Sequence, residues 1–466
     1  MSAVTLSSPQ ATLPLLALCG AQFLLTMDIV ILHLALPDLQ RVMALDARAL
    51  QAVNVAYLAA FAACLLPAGG LADRLGAARL FRAGAAVLAA GSLLGAVGHG
   101  YGTVLLARVF QGVGGGMLLP AALSLLGESF PAGPARERAT GWWSLAAVLG
   151  AVAGMLLGGI AAAAGGWRAA FWLAFVLAAP LAVAIPVVAE PPRGRLAGFD
   201  LGGSLLVAGG IGLLVVGFGL EPQAGSRTAW AALGLGAGLL AAFAIRSARG
   251  ARPLLRFTAL RHAGFVAALL AAMVHGAGPQ GAMFFLSLEL QAGAGWSAPA
   301  VGIALLPPAL AAPLGVLLAV RLVRRAGAPA TLALGLAAMG AALAGLGQLP
   351  AQPDYPRDVL PGLLVLGIGA TLTAVPMYLL ALADGEAETL GARTGLLYTA
   401  QYLGPALLLQ AMTWAGGGHG AATANLTTAF ALGAVCLLAT AGTVLLLLAT
   451  VRRESSRRSA QPPGSR

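Results

Sequence analysis

Fourteen stretches of this chain are each long and apolar enough to cross a bilayer, near residues 12–36, 48–71, 79–98, 102–127, 138–164, 168–189, 201–220, 228–247, 262–287, 299–322, 328–349, 358–382, 390–414 and 425–450. About 20 apolar residues suffice for one crossing. In hydrocarbon every backbone N–H and C=O has to be satisfied internally, so such segments fold as helices and the chain as an all-α polytopic bundle. The composition agrees: 9% of residues are charged, 59% are hydrophobic and the mean hydropathy is +0.89. Glycine supplies 64 of 466 residues, and small residues let membrane helices approach closely.

Several function classes are excluded early. The net charge of +11 is spread over short loops rather than over one soluble basic face, so no nucleic-acid partner is expected. Cys19, Cys64 and Cys436 are dispersed in apolar spans and make neither a disulfide framework nor a metal site, so no metal is expected. No GxxxxGK[ST] phosphate loop is present, which argues against ATP and against any cofactor, with a proton gradient as the energy source.

The spans group as six, two and six. The expected units are 1–190, a six-helix bundle; 191–261, a linker with two extra spans; 262–451, a second six-helix bundle; and 452–466, a disordered tail. Short arginine-rich loops stay cytoplasmic. With both termini inside, 21 arginines face the cytoplasm, five face outward and Arg108 lies within a span. A multi-pass protein of the cytoplasmic membrane follows, with its arginines as topology anchors that touch anionic lipid. Leu71, Arg74 and Gly76 recur as Leu322, Arg325 and Gly327 at an offset of 251, and Thr140, Gly141 and Gly150 recur as Thr394, Gly395 and Gly404 at 254. Two matches at nearly one offset indicate duplicated halves, an arrangement that places a substrate site between them.

Three segments carry specific patterns. GGLADRLGAAR (69–79) puts an acid, a base and a turn glycine at a helix end: Gly69, Asp73, Arg74 and Gly76. RVFQGVGGGM (108–117) sets Arg108 about two turns inside the fourth span, with Gln111 on the same face. An arginine at that depth is either paired or snorkels to the surface, and both readings stand on the sequence. GWWSLAAVLGAVAGMLLGG (141–159) spaces Gly141, Gly150, Gly154, Gly158 and Gly159 along the fifth span, and Gly150, Gly154 and Gly158, at every fourth position, form a groove for a partner helix.

On these three segments the chain resembles the major facilitator superfamily, in its fourteen-span drug:proton antiporter type. The resemblance implies two pseudo-symmetric six-helix bundles plus two linker helices, a gating role for the 69–76 loop and a proton-transfer role for Arg108. Two departures stand out: Ala77 and Ala78 replace paired basic residues, and Met155 replaces the antiporter motif's proline. The segment MDIVILHLALPDL (27–39) resembles the family's first-span segment, with Asp28 at an acid used for substrate or proton binding and His33 at an asparagine position. Asp28 lies about eight residues below the end of its span and Arg108 about six, so at 1.5 Å per residue both sit roughly 9–12 Å deep and can face one vestibule.

A carboxylate at that depth is a functional-site hypothesis by default. Burial disfavours its ionised form and a guanidinium favours it, so water or substrate arrival can tip Asp28 between states; a fixed structural pair is the alternative. His33, five residues on, is about 140° round the helix and is read as a packing or outer-rim residue over a relay. His33, Tyr57, Gln111, His275, Gln401 and Tyr402, with Tyr378, are candidate cavity lining for an amphipathic ligand. The reading is a non-enzymatic, proton-coupled exporter of a small molecule. Import or uniport of an ordinary metabolite is a second reading, and a membrane-embedded enzyme or sensor a remote third.

Overall fold

The structure is a computed structural model that describes residues 9–130, 133–184, 200–219, 226–249, 260, 262–350, 352–382, 387–416 and 425–459. Helices α1 (Pro9–Met43), α2 (Ala47–Leu75), α3 (Ala77–Val97), α4 (Tyr101–Ser129), α5 (Pro134–Gly165) and α6 (Trp167–Ala184) form the first group. Two follow, α7 (Leu201–Gly219) and α8 (Arg227–Arg249). The second group comprises α9 (Ala263–His275), α10 (Ala277–Leu288), α11 (Ala298–Ala304), α12 (Pro307–Ala326), α13 (Ala328–Leu346), α14 (Leu360–Leu382), α15 (Ala387–Ala415) and α16 (Leu426–Ser459). No strand occurs among the described residues, as an all-α bundle requires.

Thirteen spans among the described residues are long and apolar enough to cross a membrane. Two of them are broken helices. The segment 263–293 joins α9 and α10 across Gly276 and ends in a wide π turn at Glu289–Gly293; the segment 298–326 joins α11 and α12 across Pro307 and Pro308. Proline lacks the N–H that would carry the helix through, which explains the second break. The expected fourteenth span, α15, is 29 residues long but is not among the thirteen. Its interior carries Gln401, Gln410, Tyr398 and Tyr402, and the sections below show what these polar groups face. At the C-terminus α16 runs on to Ser459, past the expected limit of 451, because the sequence offers no helix breaker before Pro462; residues 460–466 lie outside those described.

The duplication read from the sequence is visible in the packing. Gly76 and Gly327 both close a helix at positive φ, 91° and 85°, a region that disfavours any side chain. Gly150 of α5 lies directly on the Phe23 carbonyl of α1, and Gly404 of α15 lies on the Met273 carbonyl of α9, offsets of 254 and 250. The α3–α4 crossing through Gly84 and Gly114 likewise returns as the α13–α14 crossing through Gly335 and Gly369. Any Cβ at these points meets backbone, so helix separation is set by glycine.

The halves touch in two regions. At the α1–α2 turn end, Gly159 of α5 abuts Ala298 and Pro299, Gly302 of α11 abuts Met155, and the Ser287 hydroxyl of α10 donates to the His33 carbonyl of α1 at 2.7 Å. Deeper, α2 packs on α15: Phe61 stacks on Tyr402 with ring centroids 4.0 Å apart. The α7–α8 pair covers this second seam. Val207, Ile211 and Phe243 form one apolar cluster with Ala62, Ala63 and Leu66 of α2; Gln410 of α15 donates to the Val215 carbonyl; and Phe218 stacks on Trp414. The periphery is studded with exposed Leu, Val, Ile and Trp, as lipid-facing surfaces are.

Candidate functional site

Inside the first group, helices α1, α3 and α4 converge on one hydrogen-bonded cluster. The Asp28 carboxylate accepts from Arg108 Nη1 at 3.3 Å on Oδ2 and from Gln111 Nε2 at 3.1 Å on Oδ1. Gln111 also accepts from Arg108 Nη1 through Oε1 at 2.8 Å and donates to Ser92 Oγ at 2.9 Å. Both amide protons and the carbonyl of Gln111 are therefore used, which fixes its orientation. Arg108 reaches further, donating through Nε to the Val53 carbonyl at 3.4 Å and lying 4.3 Å over the Tyr57 ring. A guanidinium on an aromatic face gains about 2 kcal/mol when desolvated.

The two charges are nearly inaccessible, with Asp28 2% exposed and Arg108 1%. This removes the snorkelling reading of Arg108. It also corrects the expectation of an open vestibule at Asp28: Gln111 and Arg108 occupy both carboxylate oxygens in this conformation. The glycines of 112–116 make the cluster possible. Gly112 and Gly116 lie against the Tyr57 and Phe61 backbone of α2, and the Phe61 ring rests on Gly115. A side chain at any of these would push α2, and with it Tyr57, off Arg108.

Pseudo-symmetry gives the cluster no twin. Offsets of 250, 251 and 255 carry Asp28, Ser92, Arg108 and Gln111 onto Gly278, Leu343, Leu363 and Leu366. The correspondence is spatial as well, since Leu366 is among the nearest neighbours of Gly278.

The remaining predicted residues disperse. His33 is buried and meets Asn54 Nδ2 through Nε2 at 3.3 Å, so it is a packed residue and not an outer-rim one. His275 sits at the break before Gly276 with its Nδ1 unpartnered among the described residues. Gln401 accepts from the Tyr378 hydroxyl at 3.0 Å, and Tyr398 stands beside Tyr378. Tyr57, Phe61 and Tyr402 thus link the Asp28 cluster to the polar face of α15. In the 69–76 loop, Gly76 makes the turn, Gly69 faces open space and Arg74 is half-buried; the Asp73 side chain lies outside those described. The every-fourth glycines of the fifth span all face one partner helix. Gly150, Gly154 and Gly158 pack on α1, Gly159 turns to the opposite half, and Gly141 has no neighbour within 4 Å.

Sequence reasoning passed over Gln51, Asn54, Phe61, Ser92 and Ser287. The signal for the α2 residues was present, since Gln51, Asn54, Tyr57 and Phe61 recur at helical spacing in an otherwise apolar span. No three His, Cys, Asp or Glu residues gather as a metal site among the described residues.

A many-helix membrane bundle with duplicated halves and a buried ion pair on one of them defines a multi-pass transporter scaffold rather than an enzyme. Comparison with known proteins makes the assignment definite: residues 18–409 match the model of the Major Facilitator Superfamily, and the chain belongs to that family. It is 32% identical to the cephamycin export protein CmcT of Amycolatopsis lactamdurans, over 99% of this chain and 96% of that protein. It is 33% identical to the puromycin resistance protein pur8 of Streptomyces alboniger, over 84% of this chain and 79% of that one. Among solved structures, the peptide transporter POT in complex with sulfate superposes with a TM-score of 0.71 at 18% identity, covering 94% of both chains, which supports the fold.

Proposed function

We propose that this transporter exports an amphipathic small molecule, a drug, antibiotic or secondary metabolite, in exchange for protons, by alternating access across the cytoplasmic membrane with both termini inside. Relatives named for cephamycin export and puromycin resistance support the direction and the class of cargo. The observation that carries the coupling is Asp28, a membrane carboxylate closed off by Arg108 and Gln111.

Proton binding at Asp28 removes one charge of the pair and leaves Arg108 to Gln111, the Val53 carbonyl and the Tyr57 ring. The geometry that locks α1 to α4 then relaxes. Because both carboxylate oxygens are occupied here, proton exchange belongs to a conformation in which this lock is open, which makes protonation and helix rearrangement one event. Tyr57, Phe61, Tyr402, Tyr378 and Gln401 supply aromatic surface with a few polar tips at the junction of the halves, the lining an amphipathic ligand requires. One charge moved across 100 mV supplies roughly 2.3 kcal/mol, enough for a cargo gradient of about fiftyfold.

The test is puromycin transport by the full chain in proteoliposomes under an imposed pH gradient. Gradient-driven accumulation is expected from wild type and is lost in Asp28→Asn, with passive puromycin exchange retained. Equal accumulation by both proteins refutes coupling through Asp28.

A further inference from the structure

At the α1–α2 turn the two halves enclose a cavity of about 700 Å³, walled on one side by Asp38, Arg41, Ala44 and Asp46 of the first half and on the other by Gln291 and Trp296 of the second. Its size is that of a small-molecule site, and neither half makes it alone. Local chain chemistry sets both walls. α1 ends in a Schellman-type turn, in which the Leu45 N–H donates to the Gln40 carbonyl at 3.1 Å and Ala44 takes φ 51°, the one non-glycine residue at positive φ among those described. On the other side the wide π turn at Glu289–Gly293 carries the chain past Gln291 to Trp296.

The charges in the wall do not cancel. Arg41 is committed to Asp38 at 2.6 Å, and the other oxygen of Asp38 accepts the Trp167 N–H at 2.9 Å. Asp46 is exposed and caps α2 with Oδ1, which accepts the Ala49 N–H at 2.7 Å, so Oδ2 is left for water or a ligand. The indole of Trp296 is braced: its backbone N–H donates to the Leu290 carbonyl at 2.8 Å, and its ring lies 6.0 Å from that of Tyr355, whose hydroxyl donates to the Ala304 carbonyl at 2.7 Å. A carboxylate without a counter-charge and a fixed indole in one cavity are the chemistry that takes an organic ammonium with an apolar body. The cavity is also tied to the contact between the halves. Gln291 donates to Ser287 Oγ at 2.9 Å, and Ser287 donates to the His33 carbonyl at 2.7 Å. Separation of the halves at this end draws the two walls apart and dismantles the site.

We infer that this cavity binds an amphipathic organic ammonium, its charge on Asp46 and its apolar body on Trp296, and that occupancy holds the halves together at the α1–α2 end. The site is separate from Asp28 and does not depend on coupling there; that it opens to the outside rests on the orientation proposed above. A ligand whose site exists in one conformation only shifts the balance toward that conformation. An ammonium arriving from the outer side therefore slows the opening of the transporter on that side.

The full chain in lipid nanodiscs is titrated by calorimetry with 4-phenylbutylamine, with 4-phenylbutan-1-ol as the neutral isostere and empty nanodiscs as the measure of partitioning into lipid. Saturable binding of the amine is expected, and none of the alcohol. Asp46→Asn is expected to weaken amine binding about tenfold, the lower end for a hydrogen bond to a charged group, with the fold kept because asparagine caps a helix as well as aspartate does. Trp296→Leu is expected to weaken it as well. No saturable binding, equal affinity in wild type and Asp46→Asn, or alcohol bound as tightly as amine overturns the site. Loss of binding in Asp28→Asn with Asp46→Asn unaffected overturns it too, because the ammonium then sits at the buried pair, and leaves the proposed function standing. The clamp is read from spin labels at Val42 and Ala300, both exposed and outside the cavity wall, in a chain whose three cysteines are replaced by alanine. Saturating amine is expected to move the distance distribution toward its short end, and an unchanged distribution overturns the clamp.

Discussion

The Asp28–Arg108 pair makes a quantitative prediction about the stability of the first group of helices. Nη1 and Oδ2 are 3.3 Å apart with both side chains at most 3% exposed. At an effective dielectric near 20 the attraction is about 5 kcal/mol before desolvation is counted. Removing one partner from such a pair costs about 3–5 kcal/mol, because the other charge is left buried. Here the loss is softened: without Asp28 the guanidinium keeps Gln111 Oε1, the Val53 carbonyl and the Tyr57 ring. Asp28→Asn is therefore expected to destabilise by about 2–3 kcal/mol and Arg108→Met by about 4, the larger value because the carboxylate then retains one donor, Gln111. In the double variant the coupling energy is expected near 3 kcal/mol. Reversible unfolding by steric trapping in bicelles measures all three. A coupling below about 0.5 kcal/mol, the value of an exposed ion pair, refutes the claim that this pair is a buried electrostatic lock.

Two further predictions concern packing. Gly150→Val and Gly404→Val each drive side-chain atoms into a carbonyl of the facing helix and are expected to abolish folded protein in size-exclusion profiles, while Gly141→Val, facing open space, is expected to leave the profile unchanged. Ser287→Ala removes the hydrogen bond between α10 and α1; at about 1 kcal/mol it is expected to shift the balance toward separation of the halves at the α1–α2 end about fivefold. Spin-label distances across that end measure the shift, and an unaltered distribution excludes the bond as a latch.

What the sequence disclosed was depth; what it withheld was partnership. Counting residues from span ends placed Asp28 and Arg108 at one level, and the helical step of three residues placed Gln111 with Arg108, because both follow from the fixed geometry of an α-helix. Asn54 and Ser92 enter through contacts between helices far apart in the chain, and no periodicity encodes which face of α3 meets α4. The fifth-span glycines show the same limit. Their spacing announced close packing, but α1 takes Gly150, Gly154 and Gly158 while the opposite half takes Gly159. The polarity of α15, which makes it the least apolar span, is explained by the neighbours it faces: Gln401 meets Tyr378 and Gln410 meets α7.

The replacement of the first half's polar quartet by Gly278, Leu343, Leu363 and Leu366 gives the duplicated scaffold an unequal division of labour. A gene duplication hands both copies the same crossings, but one half carries the buried ion pair and the other has glycine or leucine at the matching positions. On the proposed coupling through Asp28, force generated by charge neutralisation originates on one side and is transmitted to the other through their shared seams, much as a single driven blade closes a pair of scissors.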